Sequence, residues 1–303
     1  MGSSSESTNP SRHRDLVVGG SEANRQRFPY YTLLKTFTKY GTGRTCGGTL
    51  IAPDVVMTAA HCIEGSDEDE LFGDSSPIVG VDAFVNSTTV EYSKFEYYRS
   101  GIKWMVHPDR DRLRLSNDVA IIFLNAPVLE VPPVKVNKDA NIPVSDDPTT
   151  LTVIGLGANG TNTTDDPFSS GFTSYITYPD QLMKIEIDTV STPSCKKMYG
   201  SFFVGDSNFC AGVDYEKGVC LGDDGGPVLL TKSSAADDVQ IGIISLVGSY
   251  YCGGGAPDVY TRMSSYAGWI DDQVCQFSKS KPSTCPTLRP TRKPTKKPVS
   301  GRK

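Results

Sequence analysis

Most of the chain reads as short runs of alternating apolar and polar residues, each broken by Gly, Pro, Asn or Asp, and this pattern predicts strands. β-rich runs fill 28 to 62, short strands and loops continue over 75–116, and Val119-Ala-Ile-Ile-Phe-Leu124 is an apolar run of strand length. A Pro- and Asp-rich stretch over 126–149 reads as the connection to a second half. There the pattern predicts strands over Thr149–Gly155, Gln181–Val190 and Val239–Leu246. Helical spacing comes at the end, where Tyr266, Trp269, Ile270 and Val274 share a face and Ser264 or Ser265 is the expected cap. Both ends lose periodicity. Residues 1–16 are Ser-rich and polar, a mobile leader, and from 276 to 303 a proline at 282, 286, 290, 294 and 298 alternates with Thr, Lys and Arg, which predicts a disordered, extended tail.

Composition narrows the class. At 303 residues with 38% hydrophobic and 9% aromatic content, the chain can bury one or two cores. No apolar run reaches the roughly 18 residues of a membrane-spanning helix, and the start Met1-Gly-Ser-Ser-Ser-Glu6 lacks the apolar segment of a signal peptide. Eight cysteines without a C-x-x-C pair or clustered histidines favour disulfides over zinc, hence an oxidising compartment. Sequons at Asn86, Asn159 and Asn162 agree with a secreted glycoprotein. The net charge of −5 hides a split: nine basic and no acidic residues follow position 275, leaving 21 basic against 35 acidic before it. An acidic body argues against nucleic acid and for a protein or peptide partner, while the basic tail is expected to contact an acidic matrix.

Three stretches carry candidate chemistry. Cys220-Leu-Gly222-Asp223-Asp224-Gly225-Gly226-Pro227 is a glycine-rich loop able to bend tightly and aim amide hydrogens at a reacting atom. His61 ends a run of small residues in Val56-Met-Thr-Ala-Ala-His61-Cys62 and alone of the three histidines has the setting of a general base; His13 and His107 read as surface residues. Asp118 directly precedes an apolar strand. Gly155-x-Gly157-x-x-Gly160 follows a predicted strand, but Thr161-Asn-Thr-Thr-Asp-Asp-Pro167 cannot open the helix that a dinucleotide site needs, so no such cofactor is expected. Ser66-Asp-Glu-Asp-Glu70 reads as a solvated charge run, with calcium the alternative. No metal site is expected elsewhere, and the triple His61, Asp118 and Asp224 is set aside as one.

In this order and context the stretches resemble the chymotrypsin- and trypsin-like serine endopeptidases over about residues 17–275. The resemblance implies an all-β fold of two antiparallel six-stranded barrels, about 17–135 and about 150–262, with a C-terminal helix. It implies disulfides Cys46–Cys62, Cys195–Cys210 and Cys220–Cys252; Cys275 and Cys285 are left to close a small loop. It implies His61 as base, Asp118 as its orienting acid, and an oxyanion hole from the amides of Gly222 and Asp224. Val17-Val-Gly-Gly20 resembles the new amino terminus made by zymogen cleavage, whose amine pairs with Asp223; here the bond follows Leu16, with Arg14 two residues earlier. The implied specificity pocket has Gly218 and Val219 at its base and Ser245, Val247 and Asp258 on its walls, a set resembling broad-specificity collagenolytic members that accept basic and apolar side chains.

The departure is at the nucleophile, where the family carries serine and this chain carries Asp224. A carboxylate is a poor nucleophile toward an amide, its charge is expected to hold His61 protonated, and it competes with the developing oxyanion. Three functions follow as expectations. The chain is a secreted endopeptidase family member impaired in catalysis that binds protein or peptide in its cleft; or an active endopeptidase represented with an inactivating substitution; or a non-catalytic inhibitor or regulator using the fold as a binding platform.

Overall fold

The computed structural model describes residues 19–24, 26–64, 77–114, 116–143, 148–158, 160–164, 173–203, 205–215, 217–249 and 252–286. Val17, the leader, the 66–70 acidic loop, Asn159 and the tail beyond 286 lie outside them.

In the first half, β1 (Ser21–Glu22) precedes β2 (Tyr31–Thr38), β3 (Thr45–Ala52), β4 (Val55–Thr58), β5 (Ile78–Val85), β6 (Tyr97–Val106) and β7 (Ala120–Leu124). Strands β2 to β7 close into a barrel in the order β2-β3-β4-β7-β6-β5, all pairs antiparallel. Closure removes every free edge, and the apolar run 120–124 becomes a fully buried strand.

The second half has β8 (Lys135–Val136), β9 (Thr150–Gly155), β10 (Gly160–Thr164), β11 (Thr173–Thr177), β12 (Met183–Val190), β13 (Asn208–Ala211), β14 (Pro227–Leu230), β15 (Val239–Leu246) and β16 (Asp258–Arg262). Strands β9-β12-β13-β16-β15-β14 run in sequence and close through the antiparallel β14–β9 pair, a second six-stranded barrel. β1 pairs with β12, so Ser21–Glu22 of the first half docks on the distal barrel. β8, which the proline-rich connection concealed, runs parallel to β15. β10 and β11 form a separate hairpin.

Two α-helices of the described residues complete the fold. α1 (Thr192–Tyr199) lies in the Cys195–Cys210 loop, where sequence reading placed no element; Ser191 caps it by accepting from the Ser194 amide at 3.4 Å. α2 (Ala267–Phe277) carries the expected apolar face, and Ile270 and Val274 join the core of the first barrel. Its expected serine caps are a correction. A 3-10 turn over Met263–Ser265 intervenes, Tyr266 takes the cap position without a side-chain bond, and the Ser265 hydroxyl donates instead to the Asp206 carbonyl. The barrels are tied together by Asp238, which accepts from Tyr30 and from Arg27, and by Thr49, whose hydroxyl donates to Gln240 at 2.6 Å.

Candidate active site

The glycine-rich loop is clamped between the barrels. The Asp224 carbonyl accepts from Gly47 of β3 at 2.7 Å, while the Gly225 amide donates to Ile244 of β15 at 2.9 Å. Such close approach explains the glycines. Gly225 has φ +76, and a Cβ there would lie 2.2 Å from Thr58 Oγ1; a Cβ on Gly47 would lie 2.7 Å from the Gly226 Cα. Gly222 has φ +94. The loop therefore holds the residue at 224 rigidly where the two barrels meet.

His61 sits in a 3-10 turn (Ala60–Cys62) after β4, on the buried Ala59 and Ala60. Asp118 lies immediately ahead of β7 and is fully buried. Its Oδ1 accepts the His61 backbone N–H at 3.0 Å, and Oδ2 accepts His61 Nδ1–H at 2.8 Å. This fixes the ring and its tautomer, leaving Nε2 for the cleft. Asp224 Oδ1 stands 3.8 Å from that Nε2, an ion-pair distance too long for a hydrogen bond. Burial opposes the charge on Asp118, but His61, Arg110 and Ser245 outweigh it and hold the carboxyl down at about 2. Burial likewise opposes the imidazolium, yet Asp118 and then Asp224 overcome it, so His61 is held above its ordinary value. Asp224 is itself pushed up by burial, with His61, Arg44 and the nearby Gly222 amide opposing. The amide expected to receive an oxyanion thus faces Asp224.

Asp223 turns away from the cleft. Its two oxygens accept from Gly157 at 2.7 Å and from Cys220 at 2.9 Å, and no cation pairs with it among the described residues. Burial pushes it up to about 7. The dinucleotide-like Gly155-x-Gly157 gains a physical reason here: a Cβ on either glycine would lie 1.9 or 2.6 Å from Asp223 Oδ1. These glycines make room for a carboxylate.

At the expected pocket, a Cβ on Gly218 would point at Gly253 and, at 3.5 Å, at Asp258 Oδ2. Asp258 accepts from Gly248 at 2.7 Å, Val219 at 3.4 Å and Tyr260 at 3.3 Å; burial pushes it up to about 6. Val219 is fully buried and contributes its amide, while Val247 packs against the second barrel's core. The Ser245 hydroxyl goes elsewhere than the pocket wall: it donates to Asp118 Oδ2 at 2.6 Å. Beside His61 and Asp224 opens a cleft of about 530 Å³, bordered by Leu33, Arg44, Val90, Leu156 and Tyr178.

Four disulfides join Cys46–Cys62, Cys195–Cys210, Cys220–Cys252 and Cys275–Cys285. Cys46 and Cys62 flank His61, but their sulfurs are spent on each other, leaving no thiolate there for a metal. At the sequon Asn86, φ is +59 and Nδ2 donates to Glu96 at 2.7 Å; Asn162 lies on β10. His107 is half-buried, its ring 5.2 and 5.0 Å from those of Tyr266 and Trp269, which corrects its reading as a surface residue. Sequence reading passed over Glu64, Arg110 and Arg44. Arg110 stands in Asp109-Arg-Asp-Arg-Leu-Arg114, which scans as a solvated charge run. Only its proximity to Asp118 in the sequence offered a signal.

Comparison with known proteins agrees with this geometry. The trypsin family model matches residues 17–270, and the chain belongs to the trypsin family. It is 28% identical over 258 residues to a protein named brachyurin of Leptuca pugilator, covering 85% of this chain and 98% of that one. It is 29% identical over 259 residues to chymotrypsin-2 of Vespa crabro (84% and 98%) and 30% identical over 260 residues to a trypsin of Saccharopolyspora erythraea (85% and 98%). It is therefore a trypsin-like serine protease family member by descent.

Proposed function

We propose that the chain is a secreted trypsin-family protein that binds protein or peptide in its cleft and is blocked in hydrolysis by Asp224 at the nucleophile position. One observation carries the reading: the Asp224 carboxylate lies 3.8 Å from the Nε2 that a nucleophile would need, while Asp118 already fixes the other ring nitrogen. In hydrolysis by a serine, the hydroxyl passes its proton to Nε2 as it attacks the carbonyl. Asp224 has no such hydroxyl, and its charge favours an imidazolium that cannot accept the proton. Its carboxylate also competes with an oxyanion for the Gly222 amide, which acts on it.

The remaining roles in this reading are His61 as base, Asp118 as orienting acid, and Gly222 with the amide at 224 as oxyanion donors. Val17 supplies the amine for Asp223 after cleavage of the Leu16–Val17 bond. Gly218 and Asp258 form a pocket suited to Lys or Arg, with apolar side chains also admitted. Disulfides and the sequons support an extracellular setting, and no helix among the described residues is long and apolar enough to cross a membrane.

The test compares the chain with its Asp224→Ser variant, both secreted and cut before Val17. Peptides ending in Lys, Arg or an aromatic residue serve as substrates, and a fluorophosphonate reports a reactive serine. The expected result is neither turnover nor labelling of the chain with Asp224, and both in the serine variant. Loss of the nucleophile costs about a millionfold in kcat in such enzymes. Robust turnover with Asp224 in place would sink the proposal, and an inert serine variant would favour the inhibitor or regulator reading.

A further inference from the structure

A line of alternating charge runs from the surface into the site: Arg112, Glu64, Arg110, Asp118, His61, Asp224. Arg112 Nε is 3.3 Å and Arg110 Nε is 3.4 Å from the same Glu64 oxygen, and an Arg110 terminal nitrogen is 3.4 Å from Asp118 Oδ1. The Arg110 side chain is only 6% exposed. The turn after β6 fixes it: its amide donates to the His107 carbonyl at 3.1 Å, and its guanidinium donates to the carbonyls of Asp111 at 3.1 Å and Ser116 at 3.3 Å.

We propose that Arg110 is a positioning residue of this site, sharing Asp118 with His61 and so setting how readily His61 gives up its proton. The two carboxylate oxygens of Asp118 divide the work. Oδ2 serves the imidazole and Ser245, while Oδ1 serves the His61 backbone and Arg110. A guanidinium is a permanent cation. When His61 becomes neutral, Asp118 therefore retains a buried cation, and the neutral imidazole costs less. Without Arg110, deprotonation of His61 would strand a buried carboxylate, and the proton would be held more tightly. Arg110 thus opposes the pull of Asp224.

Among the described residues the charged and titratable groups around this line are few. Asp118, Asp224 and, in the opposite sense, Arg44 act on His61. His61 and Arg110 face Asp118, with Tyr266 near it. Arg110 itself faces Asp118 and Glu64, and because Arg112 shares Glu64, that carboxylate does not absorb the whole of the Arg110 charge.

This inference rests on His61 being the proton-carrying group of the site, and its test needs no turnover. The full chain with isotope-labelled histidines is titrated by NMR, unaltered and as Arg110→Gln, Arg110→Lys and Glu64→Gln. Arg110→Gln is expected to raise the His61 midpoint by about 0.5–1 unit, and Arg110→Lys to restore it to within about 0.3. Glu64→Gln, which leaves Arg110 in place and serves even if Arg110→Gln does not fold, should lower the midpoint by about 0.3 or more. The His107 resonance, set by Tyr266 and Trp269, reports that the fold is intact. A His61 midpoint unmoved or lowered in folded Arg110→Gln, or unmoved or raised in Glu64→Gln, would overturn the assignment. An inert Asp224→Ser variant bears instead on the proposed function and leaves this readout unaffected.

Discussion

Two buried acids at the site, Asp258 and Asp223, are each held by neutral donors and raised by burial, and each should leave its own mark on pH behaviour. Asp258 is bonded only by neutral donors and is pushed up to about 6, so it is ionised at neutral pH and protonated in mild acid. Binding of a Lys- or Arg-containing peptide in its pocket is expected to weaken as pH falls through about 6, roughly tenfold per unit below that, and binding of the same peptide with norleucine in that place should not. Anisotropy titrations at pH 5 and 8 read the difference. Asp223 is pushed up to about 7 from the usual 3.8. An acid raised on folding binds more protons folded than unfolded between those values, so stability should fall as pH rises from about 4 to 7. In the uncleaved chain Asp223→Asn is expected to flatten part of that decline in Tm, leaving the part due to Asp258 and Asp224, which burial also raises. An unchanged slope would mean that a cation already pairs with Asp223.

At the scale of elements, the loop from Gly222 to Gly226 depends on neighbours that are distant in sequence. It is bonded to β3 on one side and β15 on the other, and Gly225 fits only because Thr58 and the Gly47 carbonyl meet no Cβ. Gly225→Ala is therefore expected to cost about 2–4 kcal/mol, through positive φ and overlap together, measured as a lower urea midpoint. Gly268→Ala, where nothing lies within 4 Å of the added Cβ, is the matched control and should be neutral or slightly stabilising. The strand-rich first half and β9, β12 and β15 were legible because alternation and apolar runs report burial directly, whereas β10, β11, β13, β14 and β16 were not singled out. Nor were α1 and β8, since one is an eight-residue helix running into a disulfide loop and the other is two residues paired across the molecule.

Over the whole molecule, the site exists because two barrels are locked in one relative orientation. Asp238, ahead of β15, is fully buried and accepts from Tyr30 and Arg27 of the other half and from the Lys232 amide at 2.7 Å. Asp238→Ala is expected to destabilise the chain by about 3–5 kcal/mol, because it leaves a buried hydroxyl and a half-buried guanidinium without their acceptor. Differential scanning calorimetry checks the size, and splitting of the single transition into two would show that the barrels have come apart.

Local signals carried the strand-rich character, the terminal helix and the identity of His61, Asp118 and the glycine loop as candidate chemistry; the two-barrel fold class followed from the resemblance of those motifs to a protease family. Strand periodicity, small residues before a histidine and glycines around a reactive position each act over a few neighbouring residues, which is the range a sequence displays. Tertiary structure alone decided that Gly155 and Gly157 cradle Asp223, that Ser245 serves Asp118, and that Arg110 is a buried charge beside it. It also decided what stands at the end of the glycine loop: a carboxylate within ion-pair reach of an imidazole that another carboxylate already holds. Electrostatic coupling depends on distance through space and on burial, and neither is fixed until the two barrels close upon each other.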